Sequence, residues 1–143
     1  MEEETILFET DFWKIVLSPD QDYLGRCVII LKRDSGEMSN ITSDEWFDIH
    51  KNIITKLESA LKKAFDATMF NWTCLMNNAF KAKNPKPHVH WHFRPRYNHD
   101  VTFAGEKFRD VEFSHHYSRK RKNIVSKDVL KKISEEVRKH ISN

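Results

Sequence analysis

The chain has 143 residues, a formal net charge of +3, and 39% hydrophobic and 31% charged side chains. That balance excludes an intrinsically disordered chain and predicts one globular domain, 1–143, large enough to bury a core. No apolar run approaches the ~20 residues of a membrane-spanning helix. The acidic start, Met1-Glu2-Glu3-Glu4, lacks the basic-then-apolar order of a secretory signal, so cytoplasmic residence is the expectation. Cys27 and Cys74 lie far apart in apolar surroundings and are expected to be reduced core thiols.

Along the chain, Ile6–Phe8 and Phe12–Leu17 read as two short strands around a Glu9-Thr10-Asp11 turn. Ser18-Pro19-Asp20 interrupts the second. Cys27-Val28-Ile29-Ile30-Leu31, within the stretch from Gly25, has the continuous apolar character of a central buried strand. Asp34-Ser35-Gly36 is a turn. Thr42 and Glu45 have capping-box spacing and predict a long helix reaching Phe65. Trp46, Ile49, Ile53, Leu57, Ala60, Leu61 and Ala64 lie on its buried face, while Asp48, Lys51, Asn52, Lys56, Lys62 and Lys63 lie on the other. Met69–Met76 is the next strand. A polar loop, Asn77–Lys86, leads into a histidine-bearing strand that Pro95 is expected to end. Within the irregular stretch Tyr97–Lys122, Val101–Ala104 and Phe108–Phe113 are expected as short strands around Gly105. Ser126 caps a last helix striped by Val129, Leu130, Ile133, Val137 and Ile141. The class is α+β, an antiparallel sheet with helices packed on one side.

The most informative segment is Pro87-His88-Val89-His90-Trp91-His92-Phe93. Alternate side chains of a strand share a face, so the three imidazoles stand in a row about 7 Å apart, with Val89, Trp91 and Phe93 opposite. Three uses of such a row are open at this level. Structural histidines are one. A metal site is another, although the outer Cα atoms lie about 13 Å apart on the strand rise, whereas ion–nitrogen bonds are about 2 Å. Further ligands would have to come from His99, His115 or His116. The third, favoured by the apolar spacers, is phosphate chemistry: a neutral imidazole is a nitrogen nucleophile toward phosphorus, and a protonated neighbour stabilises oxygen charge or protonates a leaving group. Basic residues from Lys81 to Lys86 and in Arg119-Lys120-Arg121-Lys122 favour a small anionic ligand nearby. The four-residue run reads as a solvated loop in preference to a nucleic-acid surface.

His88-Val89-His90-Trp91-His92-Phe93-Arg94-Pro95-Arg96 resembles the signature of the histidine-triad (HIT) superfamily, and Pro95-Arg96 resembles the ending found in fragile-histidine-triad dinucleoside polyphosphate hydrolases. The similarity runs from about Phe8 to Arg96, with 97–143 as a C-terminal extension. It implies a five-stranded antiparallel sheet with one long helix and a C-terminal helix, paired as a homodimer. It also implies a nucleotidyl hydrolase or transferase acting at an α-phosphate, with dinucleoside polyphosphates such as diadenosine tetraphosphate as the substrate class. A nucleoside phosphoramidate hydrolase and a non-catalytic nucleotide-binding protein are the alternatives. His90 would be the nucleophile, His92 would contact the phosphate and assist the leaving group, and His88 would orient the nucleophile. Asn77 would bind ribose or phosphate. Phe8, Trp13 and Leu17 are candidates for the base and ribose region, with core packing as the commoner role for Phe8 and Trp13. No cofactor and no resident metal are required, although a divalent cation can enter with the substrate phosphates.

Three departures from the family pattern stand out. Gly25-Arg26 replaces a Gly-His that often supplies a fourth histidine; Arg26 either contacts phosphate or faces solvent. The glycine-rich segment before the triad is replaced by a loop in which Asn84, Lys81, Lys83 and Lys86 could meet a polyphosphate tail. Arg94 continues the parity of the histidines where the family usually has an apolar residue, extending the anion-binding face. Downstream, His99, Arg109, His115, His116, Tyr117 and Arg119 form a cluster that either closes over the substrate or remains an ordinary loop.

Overall fold

The structure is a computed structural model that describes residues 3–118 and 120–141. Met1 and Glu2 of the acidic start, and Arg119 of the basic run, lie outside the described residues. Five strands, β1 (Thr5–Glu9), β2 (Trp13–Leu17), β3 (Cys27–Leu31), β4 (Met69–Thr73) and β5 (His90–Arg96), form one sheet in the order β1-β2-β3-β5-β4, antiparallel throughout. The expected α+β class and five-stranded sheet are therefore present. The polar turn after β1 is held by the Thr10 hydroxyl, which accepts from the backbone N–H groups of Phe12 and Trp13 at 3.3 and 3.0 Å. In β2 and β3 buried and half-buried residues alternate, as a sheet with one face in the core requires. Trp13, Ile15, Leu17, Cys27, Ile29, Leu31, Val89 and Phe93 belong to that core.

The helical layer starts as the capping-box spacing predicts. Thr42 Oγ1 accepts from the Glu45 N–H at 3.1 Å and the Glu45 carboxylate accepts from the Thr42 N–H at 2.9 Å. Arg33 grips the same carboxylate through Nε and Nη2 at 2.7 and 2.8 Å, which with the cap lowers its pKa to about 2. The helix runs as α1 (Ser43–Asp48), a π-helical stretch (Ile49–Ile54) and α2 (Thr55–Phe65). The wider π turn shifts the phase of the residues before it, so two assignments change. Trp46, expected in the core, is 41% exposed and meets Trp91 edge-on at 6.1 Å. Asp48, expected on the polar face, is buried and accepts from Thr10 Oγ1 at 2.6 Å and Asn52 Nδ2 at 2.7 Å.

β5 differs from expectation at both ends. It starts at His90 and continues through Pro95 to Arg96, which pairs with Met69. The backbone alternation explains why proline is tolerated. The Arg96 carbonyl faces β4, accepting from Thr68, and the Val89 carbonyl faces β3, accepting from Leu31. Pro95 has the parity of Val89, so its missing N–H falls on the β3 side beyond Cys27, where β3 has not yet begun. The strand expected over Met69–Met76 ends at Thr73, because Asn77–Lys81 is wound into a 3₁₀ turn. A small hairpin, β6 (Val101–Phe103) and β7 (Glu106–Phe108), replaces the expected Val101–Ala104 and Phe108–Phe113 strands. Its two-residue turn has positive φ at both Ala104 and Gly105 (53° and 76°), the conformation that fits the strand twist of a tight hairpin. Ser126 caps the last helix, α3 (Lys127–Lys139), by accepting from Val129 N–H at 3.2 Å, and Val129, Leu130, Ile133 and Val137 are buried beneath it. Arg138 donates to the carbonyls of Leu7 (2.9 Å) and Ile6, fastening α3 to β1. Among the described residues no helix is long and apolar enough to cross a membrane.

The loop from Ser18 to Arg26 brings charged residues to the sheet's other face, and buried Gln21 holds it. Gln21 Nε2 donates to the Ser18 and Arg26 carbonyls (2.7 and 3.0 Å), and its Oε1 accepts from Gly25 N–H (2.7 Å). Gly25 has φ +89°, and a Cβ there would collide with the Leu61 side chain and press on Pro95 Cγ at 3.3 Å. Gly25→Ala is expected to destabilise the fold by about 1–3 kcal/mol through backbone strain and the clash. Thermal unfolding checks this; an unchanged Tm would contradict the constraint.

Candidate active site

Register places the histidines on the face away from the helices. His92 pairs with Val28 and Thr73, His90 with Ile30, Arg94 with Asn71. These residues share the strand parity opposite to that of buried Phe93. A cavity of about 630 Å³ opens over this face, and His88, His90, His92 and Arg94 all line it. His88 belongs to the row although it precedes the regular strand. Its neighbour Val89 is pinned on both sides, donating to the Ser35 carbonyl (2.8 Å) and accepting from Leu31 N–H (3.2 Å).

Two short contacts fix the imidazole tautomers. A carbonyl oxygen can only accept, so the ring nitrogen facing it carries the proton. His88 Nε2–H therefore donates to the Leu31 carbonyl at 2.5 Å, and His90 Nδ1–H donates to the His88 carbonyl at 2.7 Å. The neutral His90 ring is left with its lone pair on Nε2. The rings of His90 and His92 meet edge to face, 4.9 Å between centroids and 79° between planes. The backbone of one histidine thus orients the ring of the next.

Around the row stand five cationic side chains, Arg26, Lys81, Arg94, Arg121 and Lys122, against two carboxylates, Asp20 and Asp22. Arg26 is bound by both, Nη1 donating to Asp22 Oδ1 at 3.0 Å and lying 3.5 Å from Asp20 Oδ2. Burial pushes the Asp22 carboxyl above its ordinary pKa despite that arginine. Arg94 is 7% exposed and its guanidinium lies 3.9 Å from the centre of the Tyr117 ring. Burial, and then the charge of Arg26, hold its pKa below the ordinary value. Asn77 lines the cavity from the 3₁₀ turn.

Of the residues expected at the site, Phe8, Trp13, Leu17, Asn84, Lys83 and Lys86 do not line the cavity. Trp13 is 1% exposed in the core and donates Nε1–H to the Glu45 carbonyl at 3.1 Å, because its strand parity points it at the helix. Phe8 packs partly buried against the same core, facing that way after a bulge in β1 puts it opposite Ile15. Asn84 is exposed in the loop beyond the 3₁₀ turn. Of the downstream cluster, Tyr117 reaches the cavity but His99, Arg109, His115 and His116 do not. His99 bridges the Asp66 and Asp100 carbonyls (2.8 and 3.1 Å), and Arg109 pairs with Asp100 (3.1 Å). Among the described residues no three His, Cys, Asp or Glu side chains are grouped to hold a metal ion.

Arg96 explains how the downstream segment comes to cover the site. At 1% exposure it forks onto Asp110 (2.7 and 3.1 Å) and donates to Asn71 Oδ1 (2.9 Å) and to the carbonyls of Glu112 (2.8 Å) and His115 (2.9 Å). The chain beyond is stitched to the Ser18–Arg26 loop. Gln21 N–H donates to the Asn123 carbonyl (2.9 Å), and Asn123 N–H donates to Asp20 Oδ1 (2.8 Å). The sequence signals Asp22 only by its four-residue spacing from Arg26. It signals Arg121 only through the basic run that contains it, and it carries no signal for the clamp made by Arg96, which depends on a segment without periodicity.

A one-sided row of imidazoles beside a cation-rich cavity on a five-stranded antiparallel sheet defines the class of architecture. The chain belongs to the HIT family: the HIT domain model matches residues 2–99. No curated protein matches it. Among solved structures, it is similar to a hypothetical histidine triad nucleotide-binding protein from Sulfolobus tokodaii (18% identity, TM-score 0.66, covering 98% of this chain and 85% of that one). It is also similar to a histidine triad protein from Bradyrhizobium japonicum (16%, 0.70, 97% and 91%). A zinc-bound histidine triad family protein from Mycobacterium smegmatis is a further match (13%, 0.60, 96% and 86%). At these identities the likeness is one of fold.

Arg96→Met is expected to leave the Asp110 carboxylate buried without its fork and to cost about 3–5 kcal/mol. Limited proteolysis should then cleave within 110–118 faster than in the parent. Equal cleavage rates would show that Arg96 does not hold the segment.

Proposed function

We propose that the protein is a nucleotidyl hydrolase or transferase whose nucleophile is His90 Nε2. The observation that carries this reading is the His90 Nδ1–H bond to the His88 carbonyl, which leaves the other nitrogen unprotonated in a cavity rich in cations. In the first step Nε2 attacks the α-phosphorus of a bound nucleotide. An N–P bond forms, and the P–O bond to the leaving group breaks with its electron pair on the departing oxygen. His92, one pleat further along the strand, contacts the phosphoryl oxygens and supports the departing group. In the second step water attacks the same phosphorus, its proton is lost to solvent, and the N–P bond returns its pair to His90. A hydroxyl acceptor in place of water would give transfer. His88 positions the nucleophile through its carbonyl, and Asn77 contacts ribose or phosphate from the cavity wall.

For the substrate we propose a dinucleoside polyphosphate such as diadenosine tetraphosphate, on the strength of the excess of cations over carboxylates around the cavity. We further propose a homodimer, since β4 closes the sheet with one edge unpaired and Met69 on it is 40% exposed. His90→Ala is expected to retain the fold and lose at least about 1,000-fold in turnover of diadenosine tetraphosphate, the order of loss seen when a covalent nucleophile is removed. Brief incubation of the parent with substrate, followed by mass spectrometry, should find added nucleotide mass on the peptide containing His90. Full turnover by the alanine variant, or an adduct on another peptide, would remove His90 from this role.

A further inference from the structure

We propose that Arg94 is a specificity-determining residue that receives a phosphate of the leaving group, so that the site selects nucleotides whose departing moiety is itself a phosphate anion over those that release an amine. The inference rests on the reading of His90 as nucleophile and adds to it the chemistry of the group that leaves. Arg94 lies on the same face of β5 as His90 and His92, about 7 Å beyond His92 along the strand. A phosphate chain attached to a phosphorus at His90 would pass His92 and then meet the guanidinium.

The surroundings of that guanidinium suit an anionic ligand. Arg94 is more than nine-tenths buried, yet neither Nε nor Nη1 has a hydrogen-bond partner among the described residues. Desolvating a cation without an acceptor is costly, and proteins normally offset it with a carboxylate or carbonyl. Neither nearby carboxylate accepts a hydrogen bond from Arg94, although the charge of Asp22 acts on it. Asp22 Oδ1 holds Arg26, and Asp20 holds Arg26 with one oxygen while its other accepts from the N–H groups of Asn123 and Asp22. The contrast with Arg96, one pleat further, is informative. That arginine, also buried, forks onto Asp110 and donates to three further oxygens. Arg94 instead has the flat face of Tyr117 at 3.9 Å and a second arginine, Arg26, close enough to depress its pKa. An aromatic face fixes the plane of a guanidinium while leaving its donors uncommitted. A planar, oriented guanidinium with unpartnered donors in a cationic cavity is suited to phosphate oxygens.

The test compares diadenosine tetraphosphate, which releases adenosine triphosphate through its terminal phosphate, with adenosine 5′-phosphoramidate, which releases ammonia, in the parent and in Arg94→Met. The ratio of kcat/KM for the tetraphosphate to that for the phosphoramidate should fall by about 50-fold in the variant, the loss expected for a charge-assisted contact. Its Tm should be equal to or above the parent's, because an uncompensated buried charge has been removed. Should the methionine variant fold poorly, Arg94→Gln carries the same comparison. Calorimetric titration with inorganic tripolyphosphate gives a readout independent of turnover: affinity should fall by a similar factor. A ratio unchanged within about threefold, whether both activities persist or both drop together, would overturn the assignment. If the parent turns over neither nucleotide, the proposed reaction fails. The tripolyphosphate titration then decides the subsite alone, lost affinity upholding it and equal affinity overturning it.

Discussion

Hydrogen bonding of β5 on both edges is the constraint on which the rest of the molecule depends. Because β3 and β4 each pair with it antiparallel, the side chains from His90 to Arg96 cannot rotate out of strict alternation. Phe93 is driven into the core under the helices, and Trp72 and Phe70 meet its ring at 4.5 and 5.4 Å. Everything of the other parity, two imidazoles and two guanidiniums, is presented together on the opposite face. A slip of one residue would bury charge and expose aromatic rings, so the apolar half of the strand enforces the polar half.

That face is organised in order along one strand. His88 sets the tautomer of His90, His90 and His92 stand edge to face, Arg94 has no acceptor for Nε or Nη1 among the described residues, and Arg96 uses all of its donors to draw in the segment that carries Tyr117. Two buried arginines therefore do opposite work. One contributes to the shape of the cavity, and the other contributes to its charge.

Much of this was legible in the sequence because it depends on local periodicity. The alternation in Pro87–Phe93 indicated a one-sided histidine row, the Thr42–Glu45 spacing gave the helix start, and Ser126 gave the start of α3. What was not legible depends on tertiary placement. Pro95 reads as a strand terminator until the backbone parity shows that its absent donor falls past the end of β3. Trp46 and Asp48 exchange environments because a π-helical turn, invisible to a 3.6-residue pattern, lies just after them. Trp13 and Phe8 look like base-binding aromatics but face the helices, and Asn84 lies beyond the turn that delivers Asn77. Tyr117 was visible only as a member of an irregular cluster. Its position over Arg94 follows from the Arg96–Asp110 clamp, which no spacing announces.

The central claim is that the His88 carbonyl holds the proton of His90 on Nδ1 and leaves Nε2 as the nucleophile. Side-chain ¹⁵N spectra of the protein with His90 in its neutral form test this most directly. The account predicts a protonated, pyrrole-type Nδ1 with a directly bonded hydrogen and an unprotonated, pyridine-type Nε2. The reverse assignment, with the proton on Nε2, would contradict it.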